Sequence, residues 1–160
     1  MLQCVDVGAN LGPLQVGVGT PAGPQCMGHA VQTGLDKHPH EITLQLDCKN
    51  AFNTVSRQHM LEAVQQTVPK LTPLVWWMYG QPSDLVVPNA PPEALIIRSS
   101  SGVNQGDPIG PRLFALTIQP QLRAVQQALP NLRVIAYLDD IVMQGEFDDV
   151  KEVYMLMKQR

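Results

Sequence analysis

Three aspartates carry the chemistry this sequence is able to perform. Asp47 closes the run Glu41-Ile-Thr-Leu-Gln-Leu-Asp47, in which Ile42, Leu44 and Leu46 alternate with Thr43, Gln45 and Asp47. That period of two predicts a strand with one apolar face, and Asp47 leaves from the opposite face. Asp139 and Asp140 separate two β-prone runs, Leu132 to Leu138 and Ile141 to Met143, which predicts a hairpin with both acids at its tip. Paired strands lie about 4.7–4.9 Å apart, so carboxylates on neighbouring strands can converge on one pair of cations. Hard divalent ions such as Mg²⁺ take oxygen ligands. Two of them roughly 3.5–4 Å apart stabilise both the attacking and the leaving oxygen of an in-line phosphoryl transfer.

These acids also have an ordinary reading. A strand-end Asp is usually a solvated or capping residue, and an Asp-Asp tip is usually a turn. Against that, tight hairpin turns favour Asn-Gly or Asp-Gly, whereas Asp-Asp between apolar strands is a like-charge pair that a bound cation would relieve. Neither Ser/His/Asp spacing nor a P-loop occurs, so competing hydrolytic chemistries lack support.

The elements that must position the acids can be traced along the chain. Residues 1–20 are rich in Gly without a sustained period and read as an irregular segment ending in the turn-prone Thr20-Pro-Ala-Gly-Pro24. A helix is expected from Gln25 to Leu35. Ser56 is placed to cap a helix over Arg57 to Thr67, where Met60, Leu61, Val64 and Val68 recur at helical spacing. A further helix is expected over Pro69 to Tyr79, with Trp76 and Trp77 read as core packing ahead of the alternative of an aromatic platform for bases. Asp84 to Val87 and Ala94 to Arg98 suggest a hairpin around the loop Pro88-Asn-Ala-Pro-Pro92. Asp107-Pro108 pairs a capping carboxylate with a first-turn proline before a helix to about Ala128, with Pro120 expected to kink it. Phe147 to Arg160 reads as a last helix with Val150, Val153, Tyr154 and Met157 along one side, its first turn favoured by Asp148 and Asp149.

Composition sets limits. Of 160 residues, 44% are hydrophobic and 16% charged, which excludes disordered and fibrous classes and allows one domain-sized core. No apolar run reaches the roughly 18 residues of a membrane span and no secretory leader is evident, so an intracellular location and no membrane partner are expected. Cys4, Cys26 and Cys48 have no C-x-x-C spacing and are expected as reduced, buried thiols. His38-Pro-His40 has no third ligand at zinc spacing and reads as a surface loop. The net charge of −3 opposes phosphate binding, which rests chiefly on Lys and Arg, unless clustered carboxylates account for it or the basic contact surfaces lie elsewhere in a parent protein.

Here the residues become recognisable as a set. Tyr137-Leu-Asp-Asp140 resembles the Tyr-x-Asp-Asp box of reverse transcriptases, and Leu46-Asp-Cys-Lys-Asn-Ala-Phe-Asn53 resembles their first catalytic block. Gly102-Val-Asn-Gln-Gly-Asp-Pro-Ile-Gly-Pro111 resembles the block between them, in the right order. The wording is similar to the non-long-terminal-repeat retrotransposon group, whose leading sequence Gln15-Val-Gly-Val-Gly19 also resembles. Each box is weak alone; three in order with compatible spacing, spanning roughly Gln15 to Met143, are specific.

The resemblance implies an α+β fold: a polymerase palm-like antiparallel sheet carrying the acids, with helices packed on one face. It implies a single partial reverse transcriptase domain over residues 1–160, with a palm core at about 41–145, a remnant of the fingers side at about 1–40, and the thumb and most of the fingers missing. By the same resemblance Asp47 and Asp139 are the principal ligands of two Mg²⁺ or Mn²⁺ ions and Asp140 supports them. The implied activity is RNA-directed DNA polymerisation, a nucleotidyl transfer that extends a primer on an RNA or DNA template with deoxynucleoside triphosphates. Phe52 matches the aromatic gate under the incoming sugar, where a rigid ring clashes with a ribose 2′-OH; its ordinary reading is a core phenylalanine. Gln105 and Gly106 match the template and nucleotide contact loop, or merely lead into the next helix.

Other residues divide between roles. Asn50 and Asn53 order the first block or serve its turn. Tyr137 packs near the primer end or is a buried strand tyrosine. Arg57 and Lys49 are candidates for phosphate contact, with solvated surface charge as the default. Arg112 stands where the family usually has an apolar residue, so the helix there is altered or faces solvent. Two other functional readings stay open: a truncated, noncatalytic retroelement remnant acting as a nucleic-acid or protein interaction module, and a polymerase making RNA, which Phe52 disfavours.

Overall fold

The computed structural model describes residues 10–89, 91 and 96–158. In chain order the elements are α1 (Gly23–Lys37), β1 (Ile42–Asp47), α2 (Ala51–Thr54), α3 (Arg57–Thr67), a 3₁₀ turn (Pro69–Leu71), α4 (Thr72–Tyr79), β2 (Ser83–Val86), β3 (Ile96–Ser99), α5 (Gly110–Ala128), β4 (Arg133–Tyr137), β5 (Asp140–Gly145) and α6 (Phe147–Lys158). This is a mixed helix and sheet fold whose strands pair antiparallel, consistent with α+β. Among the described residues no helix is long and apolar enough to cross a membrane. Two compact units divide the chain: Met1–Lys49 with Ile118–Arg160, and Asn50–Thr117.

The first unit is built on the three-stranded sheet β1-β5-β4. Leu44 and Leu46 lie opposite Met143 and Ile141, which in turn face Val134 and Ala136, so the alternation of all three strands puts these residues on one face. That face buries itself against Leu122 of α5 and Val150 and Val153 of α6, with Leu14 and Leu132 completing the core. Leu132 and Met143 are 0% and 1% exposed, and truncating either to Ala costs roughly 2–5 kcal/mol by the usual cavity argument. The outer edge of β4 is paired too: Val16 N donates to Ala136 O (2.8 Å) and Ala136 N to Leu14 O (2.7 Å). Residues 14–16 thus cover part of an edge that would be left with unpaired backbone groups.

The opposite face carries Thr43, Gln45 and Asp47, Gln144, Val142 and Asp140, and Arg133, Ile135 and Tyr137. It is not bare, which corrects the expectation of helices on one face only. α1 packs there, because Gln144 Nε2 donates both to Val31 O (3.1 Å) and to Thr43 Oγ1 (3.0 Å). Gly34 permits the approach; a Cβ at that position would collide with Gln144 Oε1. α1 contacts β4 and β5 and leaves the acid-bearing end of the face accessible, with Asp47 and Asp140 exposed.

The second unit holds α2, α3, α4, the β2–β3 hairpin and the start of α5. Ser56 caps α3 as expected, its hydroxyl accepting from His59 N at 3.3 Å. The paired strands are Ser83–Val86 and Ile96–Ser99, with Ala94 and Leu95 of the expected second strand outside the described residues. α5 starts at Gly110, with Asp107 Oδ1 accepting from Ile109 N (3.0 Å), and continues through Pro120 as a single helix. Arg112 faces solvent in its first turns.

Three expectations need correcting. Trp76 and Trp77 are 57% and 82% exposed rather than in the core, because the buried stripe of α4 runs through Val75 and Tyr79, four apart. Cys26 is exposed and Cys48 half-buried, so neither is a fully buried thiol; Cys4 lies outside the described residues. Tyr154 of α6 is 44% exposed, and among the described side chains of that helix the buried ones are Val150 and Val153, the side chain of Met157 lying outside the described residues.

Candidate functional site

The strand and hairpin predicted from alternation bring two of the three acids together. Asp47 is the register partner of Asp140 across the β1–β5 ladder, and Asp140 is also the partner of Tyr137 across β4–β5. Directly opposed residues of antiparallel strands project to the same face with Cβ atoms about 4.5–5.5 Å apart. Both carboxylates are exposed, so they present oxygens side by side at one end of the sheet.

Asp139 sits differently from expectation. The hairpin tip is Leu138-Asp139, not Asp139-Asp140, and Asp140 already belongs to β5. Leu138 adopts φ +57, a left-handed conformation usually left to Gly, Asn or Asp. The cause is Gln15, 1% exposed, whose Oε1 accepts from Leu138 N (2.7 Å) and Gly17 N (2.9 Å) while its Nε2 donates to Leu138 O (3.2 Å). One buried amide thus satisfies both backbone groups of the turn residue. Gly17 leaves room for this: a Cβ there would lie 2.7 Å from Leu138 N. Sequence reasoning missed Gln15 as a positioning residue; the available signal was an amide between apolar Leu14 and Val16.

The Cys48 thiol reports the local field. Burial pushes its pKa up, and the negative charges of Asp139 and Asp47 push it the same way, so both acids act on one sulfur. The three aspartates do not close into a tight ligand group. Among the described residues, the His/Cys/Asp/Glu set whose ligand atoms all lie within 4.8 Å of one another is His40, Glu41 and Glu146.

The expected nucleotide-contact residues belong to the second unit. Phe52 is half-buried and stacks on Phe114, with ring centroids 4.6 Å apart and planes at 22°. Its carbonyl accepts from Val103 N at 2.8 Å, tying the first block to the middle block. Gly102, at φ +71, packs where a Cβ would strike the Asn53 backbone, so this junction requires glycine. Gln105 and Gly106 form an exposed loop, Gly106 at φ +88 with open space around it. The loop is anchored by Tyr79, whose hydroxyl donates to Asp107 Oδ2 and accepts from Asn104 N (3.2 Å). Burial, then the hydrogen bond to Asp107, push the Tyr79 pKa up to about 12.

Two alternatives resolve. Arg57 is a structural residue, neither phosphate contact nor surface charge. It is 8% exposed and donates to Gly102 O, Ser99 O and Ser99 Oγ, each at 2.9 Å. Burial lowers its pKa. Asn50 and Asn53 serve both roles weighed for them: Asn53 Nδ2 donates to Asn50 Oδ1 (2.5 Å), and Asn50 takes φ +54 before α2. A cavity of about 420 Å³ in this unit is lined by Arg57, Trp76 and Tyr79 among others, but by none of Phe52, Gln105 or Gly106.

Comparison with known proteins agrees with these blocks. The sequence matches the family described as "Reverse transcriptase (RNA-dependent DNA polymerase)" over residues 7–159. It is 34% identical over 110 residues to the "Retrotransposable element SLACS 132 kDa protein" of Trypanosoma brucei gambiense, an alignment covering 68% of this chain and 9% of that protein. The aligned segment is thus a small part of that relative's length.

Proposed function

Since the chain belongs to the reverse transcriptase family, we propose that it is the palm of an RNA-directed DNA polymerase, extending a primer with deoxynucleotides through Asp47, Asp139 and Asp140. The observation that carries this reading is the register pair Asp47↔Asp140, which joins two sequence blocks 93 positions apart at one sheet end. The donor set suits Mg²⁺ or Mn²⁺: carboxylate oxygens, two of them exposed and on one face. When bound, two such ions supply electrostatic stabilisation of the attacking and leaving oxygens.

The chain's own residues have separable tasks. Asp47 and Asp140 offer ligand oxygens from paired strands, a rigid mounting. Asp139 offers its carboxylate from a turn whose shape Gln15 holds. Phe52 acts as the sugar gate: stacked on Phe114 it cannot swing aside cheaply, so a 2′-hydroxyl is excluded by volume. Gln105 and Gly106 meet the template and nucleotide, where an open left-handed glycine lets the backbone approach a ligand.

Primer extension on an RNA template tests this. Asp47→Asn and Asp139→Asn are each expected to abolish deoxynucleotide incorporation, and Phe52→Val to admit ribonucleotides. Undiminished extension by either aspartate variant contradicts the polymerase reading; unchanged sugar discrimination contradicts the gate alone.

A further inference from the structure

The β1–β5 ladder has a second functional-looking end. Its last register pair is Ile42↔Gly145, so Glu41 and Glu146 lie one residue beyond it, brought together by the same pairing that joins Asp47 to Asp140. His40 joins them: its Nε2 lies 3.1 Å from Glu146 Oε1, and one ligand atom from each of His40, Glu41 and Glu146 lies within 4.8 Å of the others. His38 stands next to the group, its Nδ1 3.7 Å from Glu41 Oε1. The third ligand that the His38-Pro-His40 sequence lacks is therefore supplied in space, by Glu146 between β5 and α6.

We propose that His40, Glu41 and Glu146 form a binding site for a divalent transition-metal ion of the zinc class, with His38 as an additional ligand, separate from the aspartate end of the sheet.

The chemistry of the donors selects the ion. Imidazole nitrogen suits Zn²⁺, Cu²⁺ and Ni²⁺, whereas Mg²⁺ prefers oxygen alone and near-ideal octahedral geometry. One or two imidazoles with two carboxylates fit the mixed N/O sets that bind zinc, at about 2.0–2.2 Å per bond. Closing the group onto an ion requires only small movements of His40 and Glu146, whose side chains are 65% and 63% exposed. Glu41 is the fixed member. Arg133 grips its carboxylate through two guanidinium nitrogens, Nη1 to Oε1 at 3.2 Å and Nη2 to Oε2. Each carboxylate oxygen has a second lone pair, so the fork does not exhaust Glu41; it orients it, as outer partners of ligating carboxylates do. A bound ion would clamp the turn before β1 to the junction of β5 and α6.

The test is a Zn²⁺ titration of the whole chain against a competing chelator, repeated with His40→Ala, Glu146→Gln and Asp47→Asn. Both altered side chains of the proposed site are exposed, and circular dichroism checks that the variants keep the fold. The expected result is one Zn²⁺ per chain, affinity lowered at least about tenfold by His40→Ala and by Glu146→Gln, no change with Asp47→Asn, and no displacement by excess Mg²⁺. Zn²⁺ should also raise the Tm of the parent but not of His40→Ala. The proposal is overturned if the parent binds no Zn²⁺, if His40→Ala and Glu146→Gln bind as tightly as the parent, or if Asp47→Asn alone removes binding.

Discussion

One pair of strands, β1 and β5, ends in two different chemistries. At one end stand Asp47 and Asp140, oxygen donors only; at the other stand His40, Glu41 and Glu146, a mixed nitrogen and oxygen set. The five register steps between Ile42 and Asp47 separate them by roughly 17 Å at the usual antiparallel rise. The aspartates are looser as a group yet stand on two paired strands and, for Asp139, on a turn held by a buried amide, while the His/Glu group is tighter yet made mostly of exposed side chains. A site for catalysis needs a rigid support and room for substrate, and a site for a structural ion needs close ligands. The two ends differ in that way.

That contrast can be broken in several places. The largest effect is expected from Asp47→Asn, which should abolish primer extension, with a loss of about 10²–10³-fold from Asp140→Asn, while His40→Ala leaves extension unchanged. Equal losses at the two ends would merge them into one site. Next comes Gln15→Leu, which removes three hydrogen bonds around Leu138 and Gly17 and leaves part-buried backbone groups unpaired. It should cost roughly 1–3 kcal/mol in urea unfolding and weaken metal binding at the aspartate end only. A cost of about 1–3 kcal/mol is also expected from Gly34→Ala, where the new Cβ collides with Gln144 Oε1 and displacing that buried amide strains its hydrogen bonds to Val31 and Thr43.

The smallest effect lies in the other unit and leaves both ends alone. Tyr79→Phe should cost about 1 kcal/mol at neutral pH. Because the folded-state pKa of Tyr79 is raised, its contribution is complete below the ordinary tyrosine value near 10 and is lost as pH rises towards about 12. Unfolding midpoints of parent and Tyr79→Phe should therefore converge across that alkaline window. A constant difference would mean the phenol keeps no special protonation state.

Much of this was legible because local rules and tertiary needs agreed. Alternation gave β1 and the face from which Asp47 leaves, and Ser56 marked the start of α3. The hairpin was legible too, but its tip was displaced by one residue, since no local rule puts leucine in a left-handed turn. The reason is Gln15, 123 positions away, which no window of sequence connects to Leu138. Glu146 was invisible as a partner of His40 for the same reason: their meeting depends on strand register, not spacing. Trp76 and Trp77 misled in the opposite sense, because hydrophobic type was read as burial when the inward stripe of α4 was already filled by Val75 and Tyr79.

The shared aspartate site is tested most directly by Mn²⁺ binding to the purified chain, followed by electron paramagnetic resonance, for the parent, Asp47→Asn and Asp139→Asn. Both substitutions are expected to weaken Mn²⁺ binding at least about tenfold, since each removes a ligand from one site. Indistinguishable Mn²⁺ affinity across all three proteins would contradict the claim that these acids, from distant parts of the chain, hold metal together.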